Sequence, residues 1–595
     1  MNKGDFFLIT TADERTWDSE KKSLFLGEWC RLYSRREKWE RMDALVAPPY
    51  GIEAEQKERD LAYSTQLFHQ LLGDMAHALN EFHKTNHSVR YWNILLGYWL
   101  MRTITTVLNR YKNLEAVLQN YQISYTAFFD DTKYSLAPKN TLDAVLAWND
   151  DIWNNIFSAK ILSFMEVKLE SKIISHSSEC FVLGKEWKRS GQKNSKKELV
   201  AFARKLAPLL SRPSDAFIIN SYLNKKEELK LQSSLGQVPQ SWQSPPLEET
   251  PVNPAERRKF IIKGATSNRY ELFLRQIMTD LIPTCYLEGY PELCKISQSL
   301  NWPKKPKFIY TANNFDFDEI FKTWTGQKVE EGVPYFVGQH GNNYGTHYFF
   351  GNQTWPDRSA SDKFFSWGWT DNTEKVMPAF NFKLGKETTR PFDPQGGLLL
   401  IEKLSPHRMF TQDNYYEYNQ YQEEQFNFVE ALPVEIQQKL TVKPHSAYKS
   451  FRWSDEQRWK DRAPHIFFQT DNTNLWHLTS QSRLIVHSYD STGILENLTL
   501  NIPTICFWSG GHDHLLPQAR SYYQLLQEAK IFFATPEEAA EFVTANWETI
   551  ELWWKDSKVQ NARLAFCRMY SRSESSPVEA MKKLFYQALN TTGKG

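Results

Sequence analysis

Between positions 482 and 505 the chain runs through the apolar stretch Leu484-Ile485-Val486, a Ser491-Thr492-Gly493 turn, the segment Ile494-Leu495-Glu496-Asn497, and a return through Pro503 into Thr504-Ile505. An apolar run without polar alternation is a strand buried on both faces. Such strands, joined by helices, make parallel sheets. The same grammar recurs from about Phe308 onward, at 308–311, 334–337, 364–368, 398–401, 466–468 and 504–507. Short strands separated by helices predict parallel βαβ units and an α/β fold.

The first half reads differently. Residues 5–10 and 24–26 are expected strands, whereas from about Glu53 to Leu118 apolar residues recur three and four apart (Leu67, Leu71, Leu72, Met75, Leu79), the signature of helix. Residues 140–235 also look helical, with polar breaks. Five prolines between Gln237 and Pro254 predict a loop. A length of 595 residues is enough for two to four domains at ~100–200 residues each. The expected division is 1–390 with a helical insertion over about 53–260, then 391–540, then C-terminal helices over 541–595 that cross back. Thr535-Pro536-Glu537-Glu538 and Ser576-Pro577-Val578-Glu579 are helix-start signals within that last part.

Composition narrows the function. With 71 Lys+Arg against 70 Asp+Glu the formal charge is +1, which removes the whole-chain electrostatic reason to expect a nucleic-acid partner. Six cysteines without a CxxC suggest neither a zinc framework nor disulfides. The opening residues contain only a four-residue apolar run and nothing approaches ~18 apolar residues, so a cytoplasmic protein is expected. The basic run of Lys185, Lys188, Arg189, Lys193, Lys196, Lys197, Arg204 and Lys205 fits a solvated face or a peripheral contact with the inner membrane. Aromatic residues reach 14%; they are first of all core material, though sugar-handling proteins often use such rigid contact area.

Three turns carry the chemistry. At 491–496, free N–H groups at a helix start attract phosphate. The Ser491 and Thr492 hydroxyls add donors, Gly493 permits close approach, and Glu496, placed in the first helical turn, accepts from ribose hydroxyls. A plain βαβ turn uses the same residue types. The segment Lys443-Pro444-His445 ends another strand and supplies a second phosphate contact on the same sheet edge. Gly338-Gln339-His340-Gly341-Asn342-Asn343-Tyr344-Gly345 follows a third strand, and His340 there is the first candidate for a general base. Asp316-Phe317-Asp318 reads as an acidic helix start in preference to a metal-binding D-x-D. GxSxG, P-loop and HExxH motifs do not occur.

With Leu26-Gly27-Glu28-Trp29-Cys30, the 338–345 turn, Phe365-Ser366-Trp367-Gly368-Trp369 and the 491–496 turn, the chain resembles a family of bacterial transferases associated with surface carbohydrates of O-antigen or capsule type. The resemblance runs nearly end to end, including Trp553-Trp554 and Gln560. In motif style the C-terminal half also resembles GT-B transferases that use CMP-activated acidic sugars such as Kdo and nonulosonic acids, and CDP-glycerol transferases. Those enzymes use a His-Pro turn and a Ser/Thr turn for the phosphate and a Glu for the ribose. Here the order is Pro444-His445, and no carboxylate stands at Gln339-His340, where some retaining Kdo transferases carry one.

The resemblance implies two Rossmann-like domains facing a cleft, with a helix-rich N-terminal elaboration. It implies a metal-independent glycosyltransferase with no cofactor beyond its nucleotide-sugar substrate, CMP-linked by preference. The donor is expected at Lys443, His445, Ser491, Thr492, Gly493 and Glu496. A glycan or lipid-linked glycan acceptor is expected past Glu28 and His340, at the inner face of the cytoplasmic membrane, with His340, Glu28 and Gln339 as the catalytic residues: His340 is the first choice of base and Glu28 the second. A CDP-polyol phosphotransferase would keep the donor turns and attack phosphorus instead of carbon. A non-catalytic glycan-binding or assembly protein would use the aromatic excess without them.

Overall fold

The computed structural model describes residues 2–51, 53–179, 211–349, 353–404, 418–451, 453–471 and 473–592; the basic run at 185–205 lies outside them. Among the described residues the strands form three sheets, and every pairing within them is parallel. The first sheet contains β1 (Asn2–Ile9), β2 (Ser23–Phe25), β3 (Ala44–Val46), β4 (Tyr121–Phe129) and β5 (Glu170–Ile174), in spatial order β3-β2-β1-β4-β5. The second contains β6 (Phe217–Ile219), β7 (Ile309–Thr311), β8 (Tyr335–Gly338), β9 (Lys363–Ser366) and β10 (Val376–Pro378), in simple sequential order. The third contains β11 (Gly397–Ile401), β12 (Leu440–Lys443), β13 (Phe467–Phe468), β14 (Ser482–His487), β15 (Thr504–Phe507) and β16 (Phe532–Phe533), in order β13-β12-β11-β14-β15-β16.

The α/β class read from the buried strands is the observed one. The stretch 53–260 holds its two long helices, Ala54–His83 and Val89–Asn120, but it also contains β4, β5 and β6. Lys84, in the left-handed region at φ 55°, ends the first helix, and the Ser88 hydroxyl starts the second by accepting from the Tyr91 N–H at 3.1 Å. β4 follows the second helix with no intervening turn residue, which hides its period-two pattern of Tyr121, Ile123 and Tyr125. The first 390 residues thus build two sheets.

The first two sheets share one continuous apolar core with the long helices and the C-terminal helices. The third joins that core through Cys506 and Phe532 and has further cores on the two faces of its central strands. Leu398 and Leu400 of β11 point into one, and Leu399 and Ile401 into the other, as strict alternation in a doubly covered strand requires. After the third sheet the chain forms the helices Pro536–Asn546, Ile550–Lys555, Ser557–Tyr570 and Pro577–Thr592. The Thr535 hydroxyl caps the first of these, accepting from the Glu538 N–H at 3.2 Å. The last returns to the second sheet, where Phe585 lies 4.5 Å from the Phe308 ring and 5.1 Å from that of Tyr310. No described helix is long and apolar enough to cross a membrane.

Candidate active site

Because the strands of each sheet are parallel, the turns that follow them collect along one edge. In the third sheet, Ile401 is level with Lys443 on one side and His487 on the other. The Lys443–His445 and 491–496 turns therefore open on the same edge with β11 between them. Strand order reverses between β11 and β14, and that reversal leaves the crevice in which α/β sheets bind ligands.

The 491–496 turn has the predicted strand-turn-helix form, with Ser491 as N-cap of the helix Thr492–Thr499. Its hydroxyls are occupied differently from the expectation. Ser491 Oγ accepts from the Ile494 N–H at 3.4 Å and lies 3.2 Å from His487 Nδ1. Thr492 Oγ1 accepts from the Asn342 N–H at 3.0 Å. A Cβ on Gly493 would stand 2.5 Å from His487 Cε1, so this glycine makes room for a buried histidine. What the turn offers an anion is the first main-chain N–H groups of the helix, which no helical turn can satisfy, and their dipole. Glu496 lies one turn further in than predicted and pairs with Lys383 Nζ at 3.2 Å. Lys383 also stands 5.3 Å from the Tyr222 ring centroid. His445 Nδ1 accepts from the Ala447 N–H at 3.2 Å, and burial lowers its pKa; Lys443 Nζ donates to the Asp471 carbonyl at 3.0 Å.

Across the cleft, β8 ends in the 338–345 turn, where Asn343 and Gly345 take positive φ values of 82° and 72°. His340 is half-buried there. Its Nδ1 lies 3.2 Å from the Tyr344 hydroxyl, which donates to Asp357 Oδ2 at 2.6 Å. The single phenolic hydrogen is spent on Asp357, so Nδ1 must carry its own hydrogen and Nε2 keeps the lone pair a base needs. Burial pushes His340 down to about 4; Asp316 opposes that shift while Lys383 and Arg102 reinforce it. Burial also raises the Asp357 carboxyl to about 6.

The other two acceptor-side candidates lie elsewhere. Gln339 is buried, with its oxygen accepting from the Trp367 N–H at 2.9 Å and Trp369 Nε1 at 2.8 Å and its nitrogen donating to the Gly341 carbonyl at 2.8 Å. Those bonds shape the turn and occupy the amide oxygen twice over. Glu28 is held by Arg31 through both oxygens and accepts from Asn419 Nδ2 at 2.7 Å, at the contact between the first sheet and the helix Tyr418–Glu430. Asp318 caps the helix Glu319–Glu330, as the acidic-start reading requires, and Asp316 binds Arg102 through both oxygens at 2.5 and 2.8 Å.

The two strongest sequence motifs touch each other through a residue that sequence reasoning missed. Asp490, 2% exposed in its side chain, accepts from Asn342 Nδ2 at 2.7 Å and from the Tyr523 hydroxyl at 2.7 Å. Tyr348 N–H donates to the His514 carbonyl at 3.1 Å and Leu516 N–H to the Thr346 carbonyl at 2.7 Å, so the loops after β8 and β15 pair as a short antiparallel bridge. The signal available was Asp490 itself, next to the Ser-Thr turn, but nothing local marks its remote partners. One strand over from β8, a cavity of about 490 Å3 opens at the ends of β6 and β7, lined by Asn140, Asn220, Asn313, Asn314, Phe317 and Asp318; His340 does not line it.

Solved structures resemble the chain loosely. A variant of the wall teichoic acid polymerase TagF matches at 10% identity over 67% of this chain and 97% of that one, with a TM-score of 0.29. MurG from Acinetobacter baumannii matches at 9% identity over 63% and 99%, with a TM-score of 0.31. The spinosyn rhamnosyltransferase SpnG matches at 10% identity over 50% and 77%, with a TM-score of 0.27. No curated protein matches the sequence. A family model spans residues 6–585, and by that nearly complete match the chain belongs to the family described as LIC12162 family transferase.

Proposed function

We propose that this transferase is a GT-B-like, metal-independent glycosyltransferase. It moves a sugar from a nucleotide-activated donor, CMP-linked by preference, to a bacterial surface polysaccharide or lipid-linked acceptor, working at the inner face of the cytoplasmic membrane. The donor phosphate rests on the N-terminus of the helix Thr492–Thr499, with Lys443 and His445 two strands away on the same edge and Glu496 available to the ribose once Lys383 is shared or displaced. Helix N–H groups and lysines neutralise the departing phosphate, the preorganised electrostatics on which transfer depends.

The acceptor approaches from the second sheet, in the cavity at the ends of β6 and β7, with His340 after the neighbouring strand β8. Asparagine amides donate and accept in pairs, as sugar hydroxyls do, and the 40% exposed Phe317 offers a ring face. His340 Nε2 takes the proton of the attacking hydroxyl; Tyr344 and Asp357 fix the ring and its tautomer. The observation that carries this reading is that the turn holding His340 and the turn opening on the donor edge are hydrogen-bonded to each other through Asn342 and Thr492.

Donor profiling of the purified chain against CMP-sugars, UDP-sugars and CDP-glycerol tests it. Release of nucleotide with a CMP-sugar and a glycan acceptor is the expected result. Turnover of CDP-glycerol alone would make the enzyme a polyol phosphotransferase. Glycan binding untouched by Glu496→Ala, with no nucleotide raising the melting temperature, would leave only a binding protein.

A further inference from the structure

The transfer reading uses neither His347 nor His514. His347 comes from the loop after β8, Asp490 from the loop after β14 and His514 from the loop after β15, and all three side chains are buried. Nε2 of His347 lies 3.3 Å, and Nε2 of His514 3.2 Å, from the same carboxylate oxygen, Asp490 Oδ2. The three ligand atoms lie within 4.8 Å of one another.

These separations are long for hydrogen bonds to a carboxylate, which cluster at about 2.7–2.9 Å. They fit the edge of a tetrahedron of donors about a metal: bonds of about 2.0–2.2 Å place neighbouring ligand atoms about 3.3 Å apart. The outer contacts suit ligands. Thr346 Oγ1 lies 2.8 Å from His347 Nδ1, the Tyr523 hydroxyl donates to Asp490 Oδ2 and Asn342 Nδ2 to Oδ1. Second partners of this kind orient ligating side chains. Two imidazoles and one carboxylate are a donor set suited to a borderline ion.

We propose that His347, Asp490 and His514 bind one divalent ion of the zinc class, with a water in the fourth position. The ion clasps three loops from two sheets and so holds the Asn342–Thr492 contact in register. It is structural: no step of sugar transfer runs through it, and it stands whether or not the donor reading does.

The test uses the full chain, purified without a histidine tag, stripped with chelator and titrated with Zn2+ and with Co2+. One equivalent bound, a visible Co2+ ligand-field spectrum of four-coordinate type and a rise in melting temperature are expected. The equivalent should disappear in His514→Ala and in His347→Ala, and the Co2+ spectrum should change in Asp490→Asn, while His512→Ala, two residues from His514, keeps both. Should the variants not fold, the wild-type titration decides alone. A folded wild-type chain that takes up no stoichiometric ion overturns the proposal, as does uptake that survives both histidine substitutions.

Discussion

The second and third sheets solve the same problem, presenting chemistry at a parallel-strand edge, in different ways. β6 to β10 follow one another across their sheet without reversal, so no crevice is left by topology. Their polar residues Asn220, Asn313 and Asn314 line a groove at the ends of β6 and β7, and His340 stands on the next turn, after β8. β11 to β16 reverse between β11 and β14, and a crevice follows from strand order alone. In the transfer reading proposed above, one edge takes an extended acceptor and the other a compact phosphate. Asp490 joins the two.

The sharpest way to break this comparison is to cut the joint. Asp490→Ala leaves the Tyr523 hydroxyl and Asn342 Nδ2 buried without their acceptor, at about 1–3 kcal/mol each, so unfolding free energy should fall by about 2–6 kcal/mol in denaturant titration. An effect under about 1 kcal/mol would mean the two edges are held by something else. The next effect is catalytic. His340→Ala should reduce transfer by roughly 10²–10⁴-fold with little change in melting temperature. A large loss from His445→Ala with none from His340→Ala would move the base to the other edge.

The pH profile sharpens that assignment. His340 acts as a base only when neutral, and burial lowers it to about 4, so activity should persist well below the ordinary histidine range and fall as pH drops through about 4. An acid limb near 6.5 would contradict a buried base. The same sign applies to stability. His340 and His487 are lowered to about 4 and 3, so the unfolded chain binds more protons between about 6.5 and those values. Their contribution is full above about 6.5 and is lost as pH falls through that window.

Smaller effects follow at the turns. Gln339→Leu strands the Trp367 N–H and Trp369 Nε1 and should cost about 1–3 kcal/mol, read as a lower melting temperature. Thr492→Val removes only the acceptor of the Asn342 N–H, worth about 1 kcal/mol.

Much of this architecture was legible where one-dimensional pattern and burial coincide. Leu484-Ile485-Val486 and Leu398-Leu399-Leu400-Ile401 are buried on both faces and read as strands at once. β4 was missed because a 32-residue helix runs straight into it, and β5 because four of its five residues are exposed and carry no apolar pattern. The positions of His340 and the 491–496 turn at strand ends were legible too. The uses of Ser491, Thr492, Gly493 and Glu496 were not, since each is set by a partner, Ile494, Asn342, His487 or Lys383, whose approach depends on the fold. Gln339 shows the same limit: a polar residue beside a catalytic candidate turned out to be a peg for two tryptophans. Asp490 lies at the extreme, with its four polar neighbours 24 to 148 residues away along the chain.

The central claim is that a donor phosphate sits on the first N–H groups of the helix Thr492–Thr499. Amide hydrogen exchange with and without CMP reads those groups directly. Slower exchange at Thr492 and Gly493 on adding CMP, lost in Glu496→Ala at the same nucleotide concentration, is the result this account expects; protection confined to another part of the chain, with these two amides unchanged, would contradict it.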